Sequence, residues 1–376
     1  MTFCPPLNTV NVNVNMQIKH FSKEQTAILK GLGILLIVLH NFFHNLTPVI
    51  GENEFSFSAE TFWNFYYTLR VSPENALRAI FSYFGHYGVQ IFIFFSSYGL
   101  TRKYYQKPLI VRQFLANRIN KIYLSFLLCL AVYMLLGFVK VQLMPDEKVF
   151  YWDSLLWKVL LVSNFIPGQA LMPVGPWWFI PFIFQVYALY PWLLSRYQKQ
   201  GYKFLILVSL TAILVESLIN PYLTARHLNI NHTVFGYLPL MCLGLFFAAQ
   251  DNIKIPVLSV GIALLLFILG NFNMCAWIFS NVALTIAALA TSTTLFRFLL
   301  HHAYTAQLLM FFGNISFHLF MVNGFLRLPF HYVAESYHCW WIDDLAALAS
   351  LLFSTLCAYC LSRLDYHLRT VFRSKL

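Results

Sequence analysis

The sequence predicts an all-α protein of the membrane: a polytopic bundle of about ten transmembrane helices with one short re-entrant or extracytoplasmic segment and both termini cytoplasmic. Three observations carry this. Of 376 residues, 59% are hydrophobic and only 10% charged, with a mean hydropathy of +0.64; a soluble domain of this size could not hide so much apolar surface. Apolar segments of about twenty residues recur along the chain, as spanning helices do, without the alternation of an outer-membrane barrel. If ten of them cross, 18 of the 25 Lys and Arg fall on the side of the termini, which the positive-inside rule makes the cytoplasm.

The expected spans are 27–48, 80–101, 119–139, 174–195, 204–221, 233–250, 255–271, 274–298, 304–326 and 341–362. The apolar piece at 152–166 is too short to cross. Counting it as a span would also export the basic stretches "SRYQKQGYK" and "RTVFRSKL". Residues 1–22 form a cytoplasmic tail, 23–366 one transmembrane domain, and 367–376 a basic cytoplasmic tail. No cleavable signal peptide is evident, and Met16 is an alternative start. The seven cysteines are scattered among apolar runs and do not read as a disulfide framework. The net charge of +11 is largely membrane orientation and gives no sign of nucleic-acid binding.

The first span, "AILKGLGILLIVLHNFFHNL", carries His40 and His44 one turn apart. Lys30 lies about 15 Å nearer the cytoplasm than His40, and all three can share one stripe. A neutral histidine satisfied by a neighbouring helix is the plain reading. Ionisable side chains are costly in a span, however, and imidazole suits proton transfer near neutral pH. Arg118 and Lys121 stand one turn apart at the start of the third span, after the loop "TRKYYQKPLIVRQFLANRINKIY", which holds no acidic residue. They anchor the chain to lipid headgroups or grip an anionic cytoplasmic ligand. Glu216 near the outer end of its span reaches water or orients a helix-one histidine. Trp177 and Trp178 fit an interfacial aromatic belt or a platform for a sugar ring. Ser96 and Ser97 are possible nucleophiles but better read as bonding to backbone. No metal is expected, because two ligands, His40 and His44, do not make a site.

Six motifs, in order, resemble those of the acyltransferase-3 family: "ILKGLGILLIVLHNFFH", "FGHYGVQIFIFFSSYGLTRKY", the basic pair Arg118/Lys121, "GPWWFIPFIFQVYALYPWL", "YLPLMCLGLFFA" and "FFGNISFHLFMVNGFL". The resemblance runs from about residue 23 to 330. It implies a surface-glycan O-acyltransferase of the cytoplasmic (inner) membrane, moving an acyl group, commonly acetyl, from cytoplasmic acyl-CoA as co-substrate to a hydroxyl of an extracytoplasmic carbohydrate, free or lipid-linked. No bound cofactor is implied. On this reading His40, helped by His44 and Glu216, is the catalytic set with His40 as general base. Lys30, Arg112, Arg118 and Lys121 bind the donor, and Trp177 and Trp178 the acceptor. Three positions depart from the pattern. Many members have their helix-one histidine where this chain has Asn41, the late histidine falls on Asn323, and the second Arg of the basic pair is Lys121. The alternative is a transporter or flippase of lipid-linked glycan precursors, for which internal repeats would be expected; none is evident.

Overall fold

In the computed structural model, residues 17–18, 20–143 and 150–374 are described. Their helices are α1 (Lys23–Phe43), α2 (Ala59–Val71), α3 (Ala76–Phe84), α4 (Gly88–Tyr104), α5 (Val111–Leu143), α6 (Trp152–Val159), α7 (Phe179–Gln200) and α8 (Tyr202–Thr224). They continue with α9 (Leu238–Ala249), α10 (Val257–Leu269), α11 (Met274–Trp277), α12 (Ser280–Leu300), α13 (Ala303–Leu326), α14 (Leu328–Tyr337) and α15 (Trp340–Ser374). A two-residue antiparallel ladder pairs β1 (Gln17–Ile18) with β2 (Ile253–Lys254).

Eight helical stretches among the described residues are long and apolar enough to cross a membrane, and two shorter apolar ones, Val234–Ala249 and Val257–Leu269, complete the ten expected spans. The second span is broken: α3 and α4 are joined by a 3-10 turn at Gly85–Tyr87 within the stretch Pro73–Tyr104. The doubtful piece at 152–166 holds the eight-residue α6 and a 3-10 turn at Ser163–Phe165. At 1.5 Å per residue α6 is roughly 12 Å long, well short of the hydrocarbon thickness. The segment 367–376, expected as a separate tail, continues α15 through Ser374. Met16 lies outside the described residues.

The centre of the bundle is the α1–α13 pair. Ser22 caps α1 through its hydroxyl, which accepts from Gln25 N at 3.1 Å, while the Gln25 side chain accepts from Ser22 N at 2.9 Å. Further along, α1 presses directly onto α13. A side chain on Gly31 would collide with the Leu309 carbonyl, and one on Gly313 with the Ala27 carbonyl. In lipid, where apolar surface gains little by hiding, such small-residue seams let dispersion and backbone contact hold helices together. α4 and α15 pack against this pair, and α9 packs on α4, which places the C-terminal end of α1, His40 to Phe43, inside the protein.

Candidate functional site

Toward the C-terminal end of α1, His40 is 3% exposed. Its Nδ1 faces two acceptors, the carbonyl oxygens of Phe81 at 3.1 Å and Ser82 at 3.2 Å, so this nitrogen carries a proton. Those carbonyls reach the ring because α3 ends against α1, and Gly85, with no side chain to hit His40, permits the approach. His44 stacks on His40 with ring centroids 4.5 Å apart, and its Nδ1 donates to the His40 carbonyl at 2.8 Å. His86 meets His40 edge-on at 5.6 Å, with both ring nitrogens buried and without a hydrogen-bond partner.

The other ring nitrogen of His40 meets two carboxylates. Nε2 is 2.7 Å from Glu52 Oε2 and 3.8 Å from Glu54 Oε2. Both carboxylates come from the segment after α1, which is pinned along its length. Arg78 donates to the carbonyls of Leu46 and Pro48 at 2.6 and 2.7 Å and pairs with Asp343 at 3.5 Å. Thr47 bonds the Glu335 carboxylate through its backbone N–H and its hydroxyl. Asn53 takes the Trp277 indole N–H on its carbonyl at 2.9 Å, and its side chain accepts from Ser58 N and Thr61 Oγ1. In a locally extended chain, residues two apart project to the same side. With Asn53 anchored toward Tyr83 and Trp277, its neighbours Glu52 and Glu54 are aimed together at His40.

The two carboxyls behave differently. Burial pushes Glu52 up, but the His40 imidazole, seconded by His44 and His86, overrides it and holds the group down to about 2. Burial and the adjacent Glu52 charge push Glu54 up to about 8. At neutral pH the site therefore holds one carboxylate and one carboxylic acid, an arrangement suited to moving protons. His40, His44 and Glu52 also offer one ligand atom each within 4.8 Å of one another. Glu52 thus supplies the third group that a metal site at the two histidines would need. The charge of Arg327, which acts on both Glu52 and His44, opposes a cation there.

Toward the N-terminal end of α1, a cavity of about 1340 Å³ opens between α1, α5, α13 and α15. Lys23, Lys30, Lys103, Arg118, Lys121 and Arg369 line it. The Arg118 guanidinium lies over the rings of Phe114 and Tyr187, 5.5 and 5.8 Å from their centroids, and its Nε is buried without a hydrogen-bond partner. Arg369 ties α15 to α5: it pairs with Asp365 at 2.9 Å and donates to the carbonyls of Asn120 and Lys121, each at 2.8 Å. The inner walls are apolar, with Ile37, Phe179, Ile183 and Phe320. Ile37 stands three residues before His40, roughly 4.5 Å along the helix axis.

Of the donor-binding candidates, Lys30, Arg118 and Lys121 share this cavity, whereas Arg112 is exposed and does not line it. The helix-one histidines sit beyond its inner end. Glu216 is elsewhere: it is 7% exposed, buried rather than reaching water, and its polar neighbour is Asn231. The carboxylates that reach His40 are Glu52 and Glu54. Trp177 and Trp178 lie inside the bundle, at 0% and 3% exposure, and not at an interface. Trp177 donates to the Met321 carbonyl and packs against Phe126, Tyr133 and Phe325. Trp178 is wrapped by Phe55, Phe182, His232 and Tyr237, so neither ring is free to carry a sugar. Ser96 and Ser97 donate to backbone carbonyls of α4. The sequence reading missed Glu52, Glu54, Lys23, Lys103 and Arg369. For the glutamates, a signal was present in "GENEF", two carboxylates flanking one Asn just after a span that ends in histidines.

A helix bundle with a basic cavity at one end of α1 and a histidine–carboxylate pair at the other is the architecture of a polytopic membrane protein. Residues 27–363 match the acyltransferase-3 family, described as an acyltransferase domain, and the chain belongs to that family. It is a multi-pass membrane acyltransferase. Comparison with curated proteins and with solved structures found no match.

Proposed function

We propose that the chain transfers an acyl group, acetyl by preference, from acyl-CoA on the cytoplasmic face to a hydroxyl of a carbohydrate on the opposite face, a free or lipid-linked surface polysaccharide. The observation that carries this is the alignment of the two ends along α1. The basic cavity suits the phosphates of a nucleotide-bearing donor, which guanidinium and ammonium groups bind. Its apolar depth suits a pantetheine arm reaching toward Ile37. The His40–Glu52 pair, one turn further out, is positioned to take the proton of an incoming hydroxyl, a contribution of roughly 10²–10⁴ in rate. The acyl group would then be the only part of the donor to pass the midplane. On this reading the chain resides in the cytoplasmic membrane with both termini inside.

The test is mass spectrometry of the host's surface glycan in a deletion strain complemented with wild-type or His40→Ala protein at equal membrane levels. Loss of an O-acyl mass increment in the deletion, restored by wild type and not by His40→Ala, is the expected result. An unchanged glycan in the deletion overturns the choice of acceptor.

A further inference from the structure

The His40 ring has no free nitrogen to offer a substrate. Nδ1 faces only the carbonyl oxygens of Phe81 and Ser82, and Nε2 is covered by Glu52 at 2.7 Å. A general base needs a lone pair within reach of the proton it removes, and on His40 none is presented. Exposure runs the other way from the usual histidine base: the His40 side chain is 3% exposed, Glu54 10% and Glu52 23%. Glu52 Oε2 is buried against the imidazole, so the open surface belongs to the rest of its side chain.

We infer that Glu52 is the group that takes the acceptor's proton, with His40 as the positioning residue that holds its carboxylate and Glu54 as the second carboxyl beside it. This rests on the acyltransferase reading above and assigns the base within it. The acceptor O–H bond breaks and its proton passes to Glu52, while the oxygen lone pair forms the new C–O bond to the thioester carbonyl carbon. Collapse of the tetrahedral adduct breaks the C–S bond. The sulfur leaves with the electron pair and takes the proton back from the Glu52–His40 pair, so that ester and free CoA thiol are the products.

The charged and titratable groups that act on Glu52 come from every side of the pocket. His40 belongs to α1 and His44 to its end, His86 to the turn before α4, Glu54 to the same segment, and Arg327 to the junction of α13 and α14. All but Glu54 favour the carboxylate form, which keeps the base ready at neutral pH. Removing His40 takes away the strongest of the groups that favour that form.

The experiment uses detergent-purified full-length protein, radiolabelled acetyl-CoA and de-O-acylated surface polysaccharide from the deletion strain. Binding of acetyl-CoA is measured by equilibrium dialysis, and transfer is followed between pH 5 and 9. Hydrolysis of acetyl-CoA, with water as acceptor, is read in parallel. In E52Q, acetyl-CoA affinity stays within threefold of wild type, which also shows that the variant folds, while transfer falls at least a hundredfold; E52D regains part of it. In H40Q, the residual transfer has its acidic limb moved to higher pH, because Glu52 now holds its proton more tightly. Transfer by E52Q above a tenth of wild type overturns the assignment. So does an H40Q protein that binds acetyl-CoA but shows no transfer at any pH while E52Q keeps a histidine-like limb. Wild-type protein that fails to bind acetyl-CoA, or binds it and neither transfers nor hydrolyses the acetyl group, overturns instead the acyltransferase reading on which the assignment rests.

Discussion

The Asn41 side-chain amide donates to the Asn323 side-chain carbonyl oxygen at 2.9 Å, joining α1 to α13 in the buried interior. The family resemblance sets a histidine against each of these two positions, and here they are each other's partner. An amide pair makes a hydrogen bond across the seam and has no proton to exchange near neutral pH. His40, about 100° further round the helix, faces the Glu52–Glu54 segment instead. The departure from the pattern is therefore paired.

Asn323 also donates to the carbonyls of Leu319 and Phe320, so the amide pair has little freedom. Asn41→Leu should leave Asn323 Oδ1 buried and unmatched, at a cost of about 1–3 kcal/mol. Asn41→Leu/Asn323→Leu should cost less than the sum of the single changes, because both partners are then apolar. Thermal unfolding of the four proteins in detergent measures the coupling; strict additivity would show that the pair does not interact.

Glu54 gives stability a pH dependence of defined sign. Folding raises this carboxyl from 4.5 to about 8, so the folded protein holds a proton that the unfolded chain has lost between those values. Stability contributed by the protonated group is therefore complete below about 4.5 and declines as pH rises toward 8. Glu52, held down to about 2, acts oppositely, and its contribution is lost only as pH falls below about 4.5 toward 2. Melting curves at pH 5 and pH 8 should show a marked fall for wild type and a much smaller one for Glu54→Gln, which mimics the neutral acid.

At the basic cavity, Arg118→Ala should weaken acetyl-CoA binding roughly ten- to hundredfold, the range for one hydrogen bond to a charged group. Arg118→Lys should recover only part of it, because the planar fork is lost. Arg112→Ala, outside the cavity, should change the affinity less than twofold. Equilibrium dialysis decides between them, and equal losses at both arginines would point to general surface charge rather than to a site.

Arg78 should matter more for transfer than for donor binding. Arg78→Met frees the Leu46 and Pro48 carbonyls and leaves Asp343, 4% exposed, without its cation. Breaking a buried pair in this way costs about 3–5 kcal/mol. With the segment carrying Glu52 released, transfer should fall at least tenfold in a protein that still binds acetyl-CoA, the two rates being read on one preparation.

The eight long spans were legible because a run of apolar residues about twenty long has few other fates, and 152–166 was set aside because a crossing there would export the basic stretches that follow. Arg118 and Lys121 were legible as a pair because helical spacing fixes which residues share a face. What lay beyond the sequence was tertiary. Nothing local says that residue 52 returns to residue 40; that depends on Arg78, Trp277 and Glu335 holding an irregular segment from three different elements. Glu216 looked like the natural carboxylate partner for a membrane histidine because depth can be counted along a helix and lateral position cannot. Trp177 and Trp178 begin a span, where an aromatic belt is expected, but position along a helix does not say which way a side chain faces, and both are buried. Arg369 was hidden by the assumption that a basic C-terminal stretch is a tail, when α15 continues and folds its charge back onto α5.

The contact of Gly31 with the Leu309 backbone, repeated in reverse by Gly313 with Ala27, has a mechanical consequence. Where two main chains touch without side chains between them, there are no rotamers to turn and no soft volume to compress, so α1 and α13 behave as a single keel. Ile37 and Phe320, which close the inner end of the cavity, are both mounted on it. Because α4 meets α1 in the same way at Gly33 and Gly88, the movement that lets a thioester pass toward Glu52 must then come from the other wall, α5 and α7, swinging against a part that stays still.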